Sequence, residues 1–227
     1  GDDYPLVNPR TGQEVRRLPA REVFDRIALA AWKTGDPGLI FTDEMNRHNP
    51  TPALGPMEST NPCGEVPLLP YESCNLGSIN LSRLVKDGRM DWERLKELAW
   101  LGVRFLDDVI EASQPPLPEI EAMVKANRKI GLGVMGFADA LIQMGIPYDT
   151  PQAVEKAQEV MSFVAREARA ASAALARERG PFPNFPGSVY AQAGHPPLRN
   201  ATVCSVAPTG TISLIAGCSS GIEPLFA

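Results

Sequence analysis

Two cysteines eleven residues apart, Cys63 and Cys74, lie in the segments of this chain best equipped for chemistry. The first segment reads Asn61-Pro62-Cys63-Gly64-Glu65, a thiol with an amide two positions before it and a carboxylate two positions after. Residues two apart in an extended segment project from one face. Asn61, Cys63 and Glu65 are therefore expected to point together, offering a hydrogen-bonding amide, a reactive sulfur and a proton acceptor. The second segment reads Glu72-Ser73-Cys74-Asn75-Leu76-Gly77-Ser78-Ile79-Asn80-Leu81. A second thiol near the first permits two-electron chemistry through disulfide exchange. Taken singly, each cysteine also reads as a small buried hydrophobe. Cys63 would then sit beside a surface acid, and Cys74 ahead of a strand that Leu76, Ile79 and Leu81 bury.

A third segment, Ala207-Pro208-Thr209-Gly210-Thr211-Ile212-Ser213, leads from a strand into a turn with three hydroxyls that opens a helix. Free N–H groups at a helix start favour a phosphate. The same residue types also make a plain turn with a cap. Gly217-Cys218-Ser219-Ser220-Gly221 is a tight loop that lets backbone approach a ligand. Gly131, Gly133 and Gly136 match the dinucleotide fingerprint letter for letter. A helix ending near Asn127-Arg128-Lys129 stands before them, however, where the fingerprint requires a strand. These glycines are expected instead to let a strand pass close to its neighbours.

Helices and short apolar strands alternate around these segments, which predicts an α/β architecture. Pro19 opens a helix with Val23, Phe24, Ile27, Ala28 and Ala31 on one face, ended by Gly35. Gly38 to Phe41 reads as a buried strand, and Asn61 to Leu69 and Leu76 to Leu81 as extended segments. Asp91 caps a long helix that turns Leu95, Leu98, Ala99, Leu106 and Val109 inward. Pro118 starts another helix. Thr150-Pro151 starts a long alanine-rich helix running to Gly180, with Val160, Met161, Val164, Ala168 and Leu175 on its buried stripe. Pro181 to Pro186 is a proline-rich loop, and Ala201 to Val206 a final strand.

The 227 residues, 44% apolar and 22% charged, describe an ordinary globular chain. A net charge of −5 argues against a nucleic-acid partner. No apolar run approaches the roughly 18 residues of a membrane span. No charged-then-apolar leader opens the chain. The four cysteines, Cys63, Cys74, Cys204 and Cys218, form no CxxC pair, and His48 and His195 lie far from them in sequence. No metal ligand is therefore assigned, and a reduced, cytoplasmic protein is expected. Both ends read as internal to a longer polypeptide: a turn-rich start without methionine, and an apolar finish.

Taken in order, these segments resemble the large catalytic subunit of ribonucleotide reductases, most closely the adenosylcobalamin-dependent class. Asp3-Tyr4-Pro5-Leu6-Val7-Asn8-Pro9-Arg10 and Gly35-Asp36-Pro37-Gly38-Leu39-Ile40-Phe41 carry the resemblance. So do the two cysteine segments, Arg128 to Phe137, Ala207 to Thr211 and Gly217 to Pro224. The resemblance implies a ten-stranded α/β barrel with a loop through its centre, of which residues 1–227 form the central portion.

It further implies that Cys63 becomes a thiyl radical and removes the 3′ hydrogen atom of a ribonucleotide. Glu65 takes the 3′-hydroxyl proton, and Asn61 holds the ribose hydroxyls. Cys74 is one thiol of the pair that reduces the radical intermediate as the 2′-hydroxyl leaves. Pro208, Thr209, Gly210, Thr211 and Ser213 bind the substrate phosphates. Adenosylcobalamin is the implied cofactor, with an external dithiol, a thioredoxin-like protein, as reductant. The second thiol of the pair, the nucleotide-sensing region and the cysteines that re-reduce the pair belong to segments outside this chain. Cys204 and Cys218 match no catalytic position.

Two other readings compete. One is an inactive piece that needs a complementary chain, or self-associates, for example as a homodimer. The other is a thiyl or glycyl-radical enzyme acting on a different substrate. The sequence leaves diphosphate and triphosphate substrates equally open.

Overall fold

The computed structural model describes residues 3–225, which divide into two units between Phe41 and Thr42. The first unit is an antiparallel hairpin followed by a helix. Strands β1 (Asp3–Val7) and β2 (Glu14–Pro19) pair from Asp3 opposite Pro19 to Val7 opposite Glu14. Helix α1 (Ala20–Thr34) begins behind Pro19 and stops at Gly35, whose φ of 84° is open chiefly to glycine and whose N–H donates to the Ala31 carbonyl. No side chain of α1 is buried. Gly38 to Phe41, read from sequence as a buried strand, is irregular, and Leu39, Ile40 and Phe41 are exposed. An apolar run becomes a strand only where a neighbouring edge accepts its hydrogen bonds, and no described residue offers one.

The second unit holds the remaining elements. In chain order they are α2 (Thr42–Arg47), β3 (Ser59–Thr60), β4 (Pro67–Leu68), β5 (Asn75–Asn80), β6 (Val85–Lys86) and β7 (Arg89–Met90). Then come α3 (Trp92–Ala112), α4 (Pro118–Asn127), β8 (Ile130–Met135), α5 (Phe137–Gln143), α6 (Pro151–Arg179), α7 (Val189–Gln192) and α8 (Gly210–Ala216). The long helices start where the sequence placed them. The Asp91 carboxylate accepts from the Arg94 N–H at 3.0 Å, and the Thr150 hydroxyl from the Ala153 N–H at 3.3 Å. Each cap satisfies one of the donors that a helix start leaves orphaned.

Strands β5 and β8 pair in parallel, from Asn75 opposite Ile130 to Asn80 opposite Met135, joined through α3 and α4 as a parallel pair requires. On one side of this pair lies the main core. Leu95, Val103, Leu106 and Ile110 of α3 meet Ile130, Leu132 and Val134 of β8 and Val160 and Val164 of α6. Helix α3 lies so close that a Cβ on Gly102 would sit 2.8 Å from the Leu132 side chain. Leu76 does not join this core. It is partly exposed on the opposite side, against Gly131.

A third lane begins beside β8. The Leu132 N–H donates to the Val203 carbonyl at 2.8 Å, and Leu132 bridges Cys204 in parallel. The expected strand over Ala201 to Val206 is reduced to that one bridge. At Ser205, whose N–H still donates to the Leu132 carbonyl at 3.3 Å, the chain also lies over the face of β8, where Gly131 and Gly133 leave room. A Cβ on Gly133 would sit 2.2 Å from the Ser205 carbonyl oxygen, and one on Gly131 would sit 2.8 Å from the Ser205 Cβ. Gly131 and Gly133 therefore act as expected, admitting close neighbours, whereas Gly136 lies past the end of the strand, where its φ of 71° starts α5 and a Cβ would sit 2.6 Å from Asn80 Oδ1. The described residues thus supply part of an α/β sheet with helices on one face, and the other face is glycine-rich.

A buried acid ties the helices together. The Asp107 side chain is fully buried in α3 and accepts from Arg128 Nε, Asn200 Nδ2, Arg179 Nη1 and Arg199 Nε at 3.0–3.2 Å. One carboxylate thus fixes α3, α6, the start of β8 and the segment that enters the third lane. Among the described residues no helix is long and apolar enough to cross a membrane.

Candidate active site

The Asn61–Glu65 segment is a tight turn between β3 and β4, not an extended strand. The Gly64 N–H donates to the Asn61 carbonyl at 3.0 Å, and Gly64 has φ of 85°. Asn at the first position, Pro at the second and Gly at the fourth are favoured in a four-residue turn, and that local chemistry overrides the alternation. The Asn61 side-chain oxygen accepts from the Val66 N–H at 3.0 Å and so closes the turn. Its NH₂ group donates to no described residue. Cys63 therefore sits exposed at the tip of the turn, and the shared strand face expected for Asn61, Cys63 and Glu65 does not form.

Glu65 leaves the turn toward the glycine face. Its carbonyl accepts from the Ser205 hydroxyl at 2.9 Å. Its Oε2 is buried and has no hydrogen-bond partner among the described residues. An acceptor in that position costs about 1–3 kcal/mol unless something donates to it, and a ligand hydroxyl could.

Cys74 lies immediately before β5, on the same face of the sheet. Its sulfur is 3.7 Å from where a Cβ on Gly131 would be, beside Ser205. Burial pushes the Cys74 thiol up to about 12. Lys129 pulls it down, and the charges of Glu72 and Glu65 add to the rise. The structure thus brings Glu65, Cys74 and Ser205 together on the glycine face and leaves the Cys63 thiol exposed at the tip of the adjoining turn. Cys204 is likewise raised by burial, to about 11, but it packs against the main core.

The Pro208–Ser213 turn follows Ser205 within a few residues, at the carboxyl end of the parallel lane, where open α/β sheets hold their ligands. Ser213 makes the first helical bond of α8, its N–H donating to the Thr209 carbonyl at 2.9 Å. The N–H groups of Gly210, Thr211 and Ile212 precede that bond. Two of the three hydroxyls already have partners. Thr209 Oγ1 accepts from the Gly221 N–H at 2.7 Å, and the Ser213 hydroxyl bonds Ser220 Oγ at 2.8 Å. Those bonds fold the Gly217–Gly221 loop onto the turn, leaving Thr211 exposed.

Sequence reasoning missed Ser205, and with it the buried pair formed by Glu72 and Lys129. Lys129 Nζ lies 2.7 Å from Glu72 Oε2, and both side chains are essentially inaccessible. The glycine alternation of β8 was the available signal for Ser205, because a face without side chains admits another segment.

Comparison with known proteins adds an independent finding. The family model for the ribonucleotide reductase barrel domain matches residues 3–197 and 194–227. A vitamin B12-dependent ribonucleoside-diphosphate reductase of Mycobacterium tuberculosis is 60% identical over 99% of this chain and 32% of that protein. One of Thermoplasma acidophilum is 58% identical over 100% of this chain and 30% of that protein. A ribonucleoside-diphosphate reductase subunit alpha of Chlamydia pneumoniae is 31% identical over 93% of this chain and 24% of that protein. The chain spans about a third of the length of the first two relatives.

Proposed function

The chain belongs to the ribonucleotide reductase barrel-domain family, and on that premise we propose that it carries the radical and reducing centre of a ribonucleoside-diphosphate reductase. The observation that carries the reading is the buried, unpartnered Glu65 Oε2, two residues from the exposed Cys63 thiol and on the same sheet face as the half-buried Cys74. A ribose 3′-hydroxyl donating to that oxygen satisfies it. General-base help of this kind is typically worth about 10²–10⁴ in rate.

In this reading the Cys63 thiyl removes the 3′ hydrogen atom, becoming a thiol again, while Glu65 takes the 3′-hydroxyl proton. The 2′-hydroxyl leaves as water. Cys74 and a cysteine outside this chain supply two electrons and two protons and become a disulfide, Glu65 returns its proton to the 3′ oxygen, and Cys63 returns its hydrogen atom to C3′. The balance is ribonucleotide plus dithiol giving deoxyribonucleotide, disulfide and water. An external thioredoxin-like dithiol restores the pair. The NH₂ group of Asn61 is the part of that side chain left to hold a ribose hydroxyl. The diphosphate lies at Pro208–Ser213, on the N–H groups of Gly210 and Thr211 and the Thr211 hydroxyl. Four residues separate Ser205 from Thr209, a reach of at most about 14 Å, so ribose and phosphate share one crevice.

Adenosylcobalamin fits as the radical source because the Cys63 sulfur, the atom it must reach, is exposed at the tip of a turn. When bound it supplies one unpaired electron by homolysis of its cobalt–carbon bond. Cys63→Ser, in a full-length reductase containing this segment, tests the reading. Folding and nucleotide binding should survive, since serine is close in shape, and deoxyribonucleotide formation should cease. Retained product formation would falsify the radical role.

A further inference from the structure

Lys129 is among the largest fully buried side chains of the described residues, and its partner Glu72 is buried with it. Neither has a part in the chemistry proposed above. Burying two charges costs several kcal/mol per ion, and an apolar pair of similar volume often serves stability equally well. A buried pair does supply direction, and this one has unusually complete bonding. Lys129 Nζ donates to Glu72 Oε2 at 2.7 Å and to the Pro67 carbonyl at 3.2 Å. Glu72 Oε2 also accepts from the Leu69 N–H at 2.9 Å, and Oε1 accepts from Asn127 Nδ2 at 2.6 Å.

These bonds join three segments that meet at the site. Pro67 lies in β4, which leaves the Cys63 turn, and Leu69 follows that strand directly. Glu72 stands two residues before Cys74. Lys129 stands two residues before Gly131, on which the Cys74 sulfur packs. The β3–β4 hairpin has only two residues in each strand, too short a ladder to fix its own orientation. Its apolar anchors, Met45, Met57 and Leu69, pack without directional preference. The directional restraints on the turn are therefore the Ser205–Glu65 hydrogen bond on its glycine-face side and, where the chain leaves it through Pro67 and Leu69, the ion pair.

We propose that the Glu72–Lys129 pair is a positioning device that registers the Cys63–Glu65 turn against the Cys74 thiol, so that radical formation and reduction occur on one substrate. The inference rests on the roles of Cys63 and Cys74 proposed above. The charged groups acting on Cys74 are Lys129, Glu72 and Glu65. Lys129 pulls the Cys74 thiol down and Glu72 pushes it up, so the two charges of the pair act on it in opposite senses.

The test is the double variant Glu72→Gln/Lys129→Gln in a full-length reductase carrying this segment. It removes both charges together and leaves no lone buried ion. The readout is the ratio of deoxyribonucleotide formed to free base released, because an activated substrate that meets no reductant decomposes. A misplacement near 1 Å can cost about 10²-fold, so the ratio should fall by roughly 10- to 100-fold while nucleotide binding is retained. A merely structural pair would lower both products together, and an unchanged ratio in the folded variant overturns the proposal. Glu72→Leu/Lys129→Met, an apolar pair of similar volume that abolishes the directional bonds, should shift the ratio the same way and serves if the first double variant does not fold. A wild-type ratio there also overturns the proposal. Cys74→Ser provides the control for complete loss of reduction. If it releases no base, the underlying reading of Cys74 fails, and this inference with it. Base release in the control with no change in the pair variants overturns the positioning role alone.

Discussion

Gly133→Ala is the substitution whose consequence the structure specifies most closely. The added Cβ would lie 2.2 Å from the Ser205 carbonyl oxygen, about 1.2 Å short of the 3.4 Å at which ordinary contact begins. Something must move by roughly that amount. Strand β8 cannot retreat, because it is paired with β5 along six residues and α3 presses on its other side at Gly102. The crossing segment at Ser205 must therefore lift. Ser205 holds the Glu65 carbonyl and leads into the Pro208–Ser213 turn, so the displacement reaches the proposed base and the proposed phosphate turn together.

Overpacking of this kind typically costs about 1–3 kcal/mol of stability. For a chain of this size that is a fall in Tm of about 2–12 °C, measurable by thermal melting of the chain. The functional effect should be larger. An error near 1 Å in placing reacting groups can cost about 10²-fold, which should appear in kcat/KM of a full-length reductase carrying the substitution. Gly77→Ala is the control. Its Cβ would meet Leu106 at 3.5 Å, an ordinary contact, on the helix side of β5, and activity should stay near wild type. Wild-type kcat/KM in Gly133→Ala, with Gly77→Ala equally active, would refute the claim that the glycine face sets the site.

Three further outcomes are expected. Asp107→Asn removes the charge that faces three arginines, and breaking a buried pair costs about 3–5 kcal/mol. Tm should then fall by about 6–20 °C, and a fall under a few degrees would mean that the hub is dispensable. Iodoacetamide at pH 8 should label the exposed Cys63 well before Cys74, whose thiol stays protonated until the pH nears 12. Peptide mapping by mass spectrometry reads the order, and equal rates would contradict the burial of Cys74. The purified chain, given ribonucleoside diphosphate, adenosylcobalamin and a dithiol, should show no sustained turnover, because Cys204 packs into the main core and leaves Cys74 without a partner thiol.

Local chemistry made much of this legible in the sequence. Asp91, Thr150-Pro151 and Gly180 bounded the two long helices because caps act within one turn of chain. The Gly131 and Gly133 reading held because a missing Cβ has one geometric use inside a strand. At Asn61–Glu65 two local signals competed. The alternation suggested a strand, while Asn-Pro-Cys-Gly specified a turn, and the turn prevailed because its bonds close within four residues. What stayed hidden was long-range. Glu72 meets Lys129 from 57 positions away, and Asp107 meets Asn200 from 93. No periodicity encodes such pairs, and Lys129 read only as the end of a helix.

The two faces of β8 explain how one strand serves both stability and chemistry. Ile130, Leu132 and Val134 point to the helices and are fully or nearly fully buried there. The intervening glycines point the other way and contribute no side-chain burial, so the strand forgoes packing on that face to admit Ser205 and the Cys74 sulfur. The loss is made good by the helix side, where α3 and α6 cover the sheet, and by the bonding around Asp107 and Lys129. The two thiols divide along the same line. Cys63 is exposed on a turn, where an external radical source can reach it. Cys74 is half-buried against the glycine face, where burial keeps its thiol protonated, as the proposed reductant role requires. Exchanging these environments would disable both steps: a buried Cys63 could not be reached, and an exposed Cys74 would lose the protection of burial. In this reading the position of each sulfur relative to the sheet matters as much as its chemical type.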